Sequence, residues 1–198
     1  MSDQQSKTPK VTLEFQGVPK SHMLTVWDQL KQGIIPEGED YILARSMADH
    51  KHWYAIFETI GIFDTQDQSE GVDPYLHIQL HRMIGLQILN QKPKQAFSFY
   101  QTRIKRKEEP HEVIHMMIHT FQNHMVNLVQ QVMQDEEFQA LHTKQDQASD
   151  QTFNIQLDHQ HYAQQLKSMQ NMSRLQIWNR LGFEEIPPLH PEQHQQFF

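Results

Sequence analysis

A chain of 198 residues with a formal net charge of −7 and no cysteine has the length of one domain and can bury a core of its own. The missing cysteines exclude disulfides, thiolate metal ligands and a cysteine nucleophile, so a reducing compartment is allowed and any metal site must use His and carboxylates. The acidic balance opposes phosphate-backbone binding and no apolar run reaches the roughly 18 residues of a membrane span, so the expectation is a soluble, cytoplasmic protein without nucleic-acid or membrane partners.

Taken in chain order, residues 1–20 are polar and predict a disordered or extended arm, in which Val11 to Phe15 alternates like a short edge strand. Ser21 is placed to cap a helix to about Lys31, with Met23, Leu24, Trp27 and Leu30 on one face. Gly33 and Pro36 break it, and apolar residues from Ile42 to Ile60 predict one continuous helix over about Asp40–Ile60, stopped by Gly61. Asp64 to Asp73 reads as a loop.

Asp73 then supplies an N-cap, with Pro74 in the first helical position of a helix to about Asn90. Pro93 opens a shorter helix to about Lys105, and Pro110 opens the longest one, to about Gln134. Two more are predicted near Phe153–Gln170 and Ser173–Leu181, the latter closed by Gly182. The result is an all-α, single-domain helical bundle over about 21–182, with a proline-punctuated extended tail over 183–198. The basic run Arg103 to Lys107 is followed directly by Glu108 and Glu109, and is read as a solvated helix end.

Histidine is the informative residue. Chance gives on the order of one H-x-x-x-H at this composition, whereas His77/His81, His111/His115, His115/His119 and His190/His194 all have that spacing. Imidazoles four apart share a helix face about one turn apart, which suits chelation of one ion. The pairs in PYLHIQLH and PHEVIHMMIH sit among apolar residues and are expected to face inward. His50, on the preceding helix, is a candidate fifth ligand. The candidate metal set is therefore His50, His77, His81, His111 and His115, for iron, manganese or zinc, with occupancy falling below about pH 6 as protons compete.

HEVIH also matches the H-E-x-x-H pattern of zinc peptidases, with His111 and His115 as ligands and Glu112 as base. Its context argues otherwise, since the helix begins only at Pro110, and Ile118 and Phe121 stand where an extended signature needs Gly and His. Glu112 is read instead as a first-turn acid favoured by the helix dipole. His22, His52, His142, His159, His161, His190 and His194 lack such context and are read as surface residues, with His119 and His124 intermediate.

DHKHWYAIFE (Asp49 to Glu58), DPYLHIQLH (Asp73 to His81) and HEVIH (His111 to His115) together resemble the proteobacterial family called domain of unknown function 1841, over about residues 40–130. That family carries similar H-P-E-Y-H-x-L-L, N-P-F-L-H-x-x-x-H and H-x-x-x-H phrases. The resemblance implies a helical intracellular bacterial protein with no established activity, and it puts His50, His77, His81, His111 and His115 at the family's histidine positions. This chain departs from it at Tyr54, where the family has a second His, and at Leu86, Ile114 and Asn123, where acidic residues are expected. A histidine-built metal protein is thus the leading expectation; the alternatives are a metal-free interaction or scaffolding protein, acting with a protein partner or as a homo-oligomer, and a zinc hydrolase using HEVIH.

Overall fold

A computed structural model describes residues 17–58, 73–134 and 159–188. Within them the chain is helical, with α1 at Lys20–Lys31, α2 at Gly38–Asp49, a 3-10 turn at Lys51–Trp53 and α3 at Tyr54–Glu58. α4 follows at Pro74–Asn90, α5 at Lys94–Lys105, α6 at Pro110–Gln134, α7 at His159–Met169 and α8 at Arg174–Arg180. No strand occurs among the described residues. The alternating segment Val11 to Phe15, the loop from Asp64, the stop at Gly61 and the start of the helix predicted from Phe153 lie outside the described residues.

Local chemistry accounts for most helix ends. The Asp73 carboxylate accepts from the backbone N–H of Tyr75 at 2.9 Å and of Leu76 at 3.3 Å, and Pro74 takes the position that needs no donor. The Glu109 side chain accepts from the Glu112 N–H at 2.7 Å ahead of α6. Ser173 and Gln176 form a reciprocal capping box for α8, and Gly182 at φ 98 ends that segment in a conformation open to glycine. At α1 the cap is Pro19 rather than Ser21: the Pro19 carbonyl accepts from His22 and Met23, while Ser21 lies inside the helix.

Two apolar clusters form the core. Met23, Val26, Trp27, Leu43, Met47 and Phe57 join α1, α2 and α3, and Ile78 of α4 packs into them. Leu80 and Ile84 of α4 belong to the second cluster, with Phe99, Val113, Met116, Met117, Tyr162, Leu166 and Trp178 from α5, α6, α7 and α8. α4 therefore serves both, and its neighbours include α2 on one side and α6 on another. It packs tightly on α2 at Gly85, where a Cβ would overlap the Ile42 side chain.

Two further expectations need correcting. The helix predicted over Asp40–Ile60 is interrupted: His50 has φ −108 and ψ 63, so α2 stops at Asp49 and the chain resumes through the 3-10 turn. Arg103 of the basic run is not solvated. It is fully buried, paired with Glu108 through Nε at 2.7 Å and Nη2 at 2.6 Å, and it donates to the Met172 carbonyl at 2.6 Å, whereas Lys105, Arg106 and Lys107 are exposed. Phe183 and Ile186, at the start of the predicted tail, pack partly buried against the second cluster.

Candidate metal centre

The break after α2 positions His50. In a continuous helix the Ser46 carbonyl would accept from the His50 N–H. Here the His50 N–H bonds to the Met47 carbonyl, and the imidazole Nδ1 takes the Ser46 carbonyl at 2.6 Å. A carbonyl only accepts, so Nδ1 carries the proton and Nε2 carries the lone pair that can act as a Lewis base. Trp53, on the following 3-10 turn, stacks on the ring at 5.0 Å and 6°, and the Tyr54 hydroxyl donates to the Ala48 carbonyl at 2.9 Å. These contacts hold the turned chain against the end of α2.

α4 contributes His77 and His81 from adjacent turns of one face, and α6 contributes His111 and His115 in the same way. One nitrogen from each of His50, His81, His111 and His115 lies within 4.8 Å of the others. His77 joins them through Nε2, at 3.0 Å from Nε2 of both His50 and His81, and His111 Nε2 is 3.3 Å from His50 Nε2. Four of the five candidate ligands thus form one group of nitrogens, and His77 adjoins it through His50 and His81. His50, His81 and His111 are buried, and His77 and His115 partly so.

Burial pushes His77 down to about 3, helped by the nearby His50, His119 and His52. His81 and His115 are held well below the ordinary imidazole value, first by burial and then by neighbouring imidazoles, His115 chief among them for His81 and His111 for His115. Neutral rings packed this closely compete for protons and lone pairs. The His50 Nε2 lone pair faces both His77 and His111, and His115 Nε2 is buried without a hydrogen-bond partner. A cation at the centre would use every lone pair at once. Metal–nitrogen bonds of about 2.0–2.1 Å set adjacent ligand nitrogens roughly 2.9–3.4 Å apart, which matches the closest spacings here.

Glu112 lies in the first turn of α6 as expected, but its carboxylate is not solvated there. It is buried, and its Oε1 accepts from Trp178 Nε1 at 2.9 Å and from Arg174 Nε, both on α8. No regular spacing relates Glu112 to residues more than sixty positions later, so this contact could not be read from sequence. His52, expected at the surface, is half-buried, with its ring 4.5 Å from Trp53 and 5.7 Å from His50, and its place beside His50 in HKHW was the available signal. His161 is exposed as expected, while His124 is buried and stacks on it at 5.2 Å. His22 bonds Asp40 at 2.7 Å, and His119 packs against Trp178 and Phe183. His142, His190 and His194 lie outside the described residues, as does the side chain of His159.

Ile114 packs against the core and Asn123 is exposed, donating to the Leu181 carbonyl at 3.4 Å. Among the described residues no carboxylate belongs to the cluster. No helix among them is long and apolar enough to cross a membrane. Neither the curated proteins nor the solved structures contain a match to this chain. A family model does match, over residues 19–146, a wider span than the three phrases alone suggested. With that match covering more than half of its length, the chain belongs to the family described as Domain of unknown function (DUF1841).

Proposed function

We propose that this protein holds a divalent transition-metal ion through His50, His77, His81, His111 and His115. The observation that carries the reading is the convergence of imidazole nitrogens from α4, α6 and the break after α2, with the His50 tautomer set by the Ser46 carbonyl. An outer hydrogen bond of that kind is what orients metal-binding histidines generally. An all-imidazole donor set suits zinc or iron(II), and it fits manganese least, since that ion prefers oxygen ligands.

Both alternatives meet a specific difficulty. A metal-free scaffold would leave His115 Nε2 buried without a hydrogen-bond partner, a desolvation cost with nothing returned, and would have His77 and His111 share the single lone pair of His50 Nε2. A HEVIH hydrolase needs the Glu112 carboxylate as a base beside the ion, but that carboxylate is held by Arg174 and Trp178. The decisive experiment is elemental analysis of the protein purified without a His tag, followed by zinc and iron(II) reconstitution. Stoichiometric metal is expected, and a content near zero before and after reconstitution would overturn the proposal.

A further inference from the structure

The donor set has an unusual electrostatic property: it contains no negative charge. Each grouped ligand is an imidazole, and the nearby carboxylates in sequence are engaged elsewhere, Glu112 with Arg174 and Trp178, and Asp49 with Arg45 at 3.0 Å. A dication surrounded by neutral ligands keeps its full charge, which is costly in a buried setting unless an anion accompanies it.

The count of donors leaves room for one. The Nε2 spacings of 3.0, 3.0 and 3.3 Å are those of neighbouring ligands on one ion, and an ion that takes six ligands would have a position left over beyond five imidazoles. His77 and His115 are only partly buried as residues, although the His115 Nε2 atom itself is closed to solvent.

On the metal-centre reading, we propose that the bound ion takes a small monovalent anion as its remaining ligand, supplied by solvent rather than by the chain. Hydroxide is the default occupant: bound water ionises and releases one proton to solvent, because a dication with neutral ligands lowers the pKa of that water. Other small anions with a nitrogen or oxygen donor atom displace it by donating a lone pair to the same position.

The test uses the full chain loaded with cobalt(II), whose visible absorption reports its coordination, and titrates it with sodium azide at neutral pH. A saturable spectral change is expected. The apparent cobalt affinity should also rise about tenfold for each tenfold increase in azide beyond its dissociation constant, since the anion binds only the loaded form. His77→Asp places a carboxylate in the cluster and should reduce the azide response at least tenfold while cobalt still binds, with helix content checked by circular dichroism. Wild-type protein that binds cobalt with the same spectrum and affinity across the azide series would overturn the inference, independently of the variant. Wild-type protein that binds no cobalt would overturn the metal-centre reading beneath it.

Discussion

The His50 imidazole donates from Nδ1 to the Ser46 carbonyl across 2.6 Å, in place of the backbone N–H that would have continued the helix. One hydrogen bond thereby ends α2 and exposes a ligand nitrogen. His50→Gln separates the two roles, because a glutamine amide still donates to a carbonyl but has no nitrogen lone pair. Thermal stability of the metal-free protein is expected to change by no more than about 1–2 kcal/mol. Metal affinity should fall by an order of magnitude or more, as it should for His77→Ala or His115→Ala. Competition titration against a chelator measures it, and unchanged affinity in His50→Gln would remove His50 from the site.

Glu112→Gln should do the reverse. The variant keeps an acceptor for Trp178 but loses the charge that pairs with Arg174, whose side chain is 44% exposed. Water screens that half of the pair, so the loss is placed at about 1–2 kcal/mol, below the figure for a fully buried ion pair. Metal affinity should stay within a few-fold of wild type. Denaturant melts and metal titrations on one preparation check both; a loss of metal equal to that of His115→Ala would put the carboxylate back in the centre.

Stability of the metal-free protein should fall as pH is lowered from neutral. An unfolded imidazole takes up its proton near pH 6.5, but folded His77 does so only at about 3, and His81 and His115 are shifted in the same direction. Between those values the unfolded state binds more protons, so stability rises with pH, by up to about 1.4 kcal/mol per pH unit for each such imidazole. This stability is complete above pH 6.5 and is lost progressively below it. Urea unfolding between pH 7 and pH 5 should therefore show a declining midpoint, and a flat profile would contradict the burial of these rings. The same burial moves proton competition for metal below the pH 6 expected of ordinary histidines, so the folded protein should retain its ion at pH 5.

Gly85 sets how closely α4 approaches α2. Gly85→Ala gains about 1 kcal/mol of helix propensity, yet its methyl must displace the Ile42 side chain at a cost of about 1–3 kcal/mol. The two nearly offset, so a small net destabilisation is expected. Moving α2 shifts His50 relative to His77 and His81, and metal affinity should fall more than stability does. Equal affinity in Gly85→Ala and wild type would show that the helix spacing does not tune the centre.

Sequence alone determined the elements whose signals are local. Asp73–Pro74 and Pro110 announce the starts of α4 and α6 because capping depends on residues within one turn, and the i, i+4 spacing by itself puts His77 with His81 and His111 with His115 on common faces. The phrases around these histidines also pointed to the family. What required tertiary structure was everything that depends on which surfaces meet. The break at His50 opposes an apolar periodicity that favours one long helix, and it exists because an imidazole satisfies the Ser46 carbonyl while pointing its other nitrogen at α4 and α6. By sequence Glu112 reads as a first-turn acid and Arg103 as part of a solvated helix end, yet each is buried against partners at or near α8, Arg174 and Trp178 for one and the Met172 carbonyl for the other. No periodicity encodes such pairings: burying a charge is favourable only where the fold brings its partner, and that is decided by packing across the whole chain.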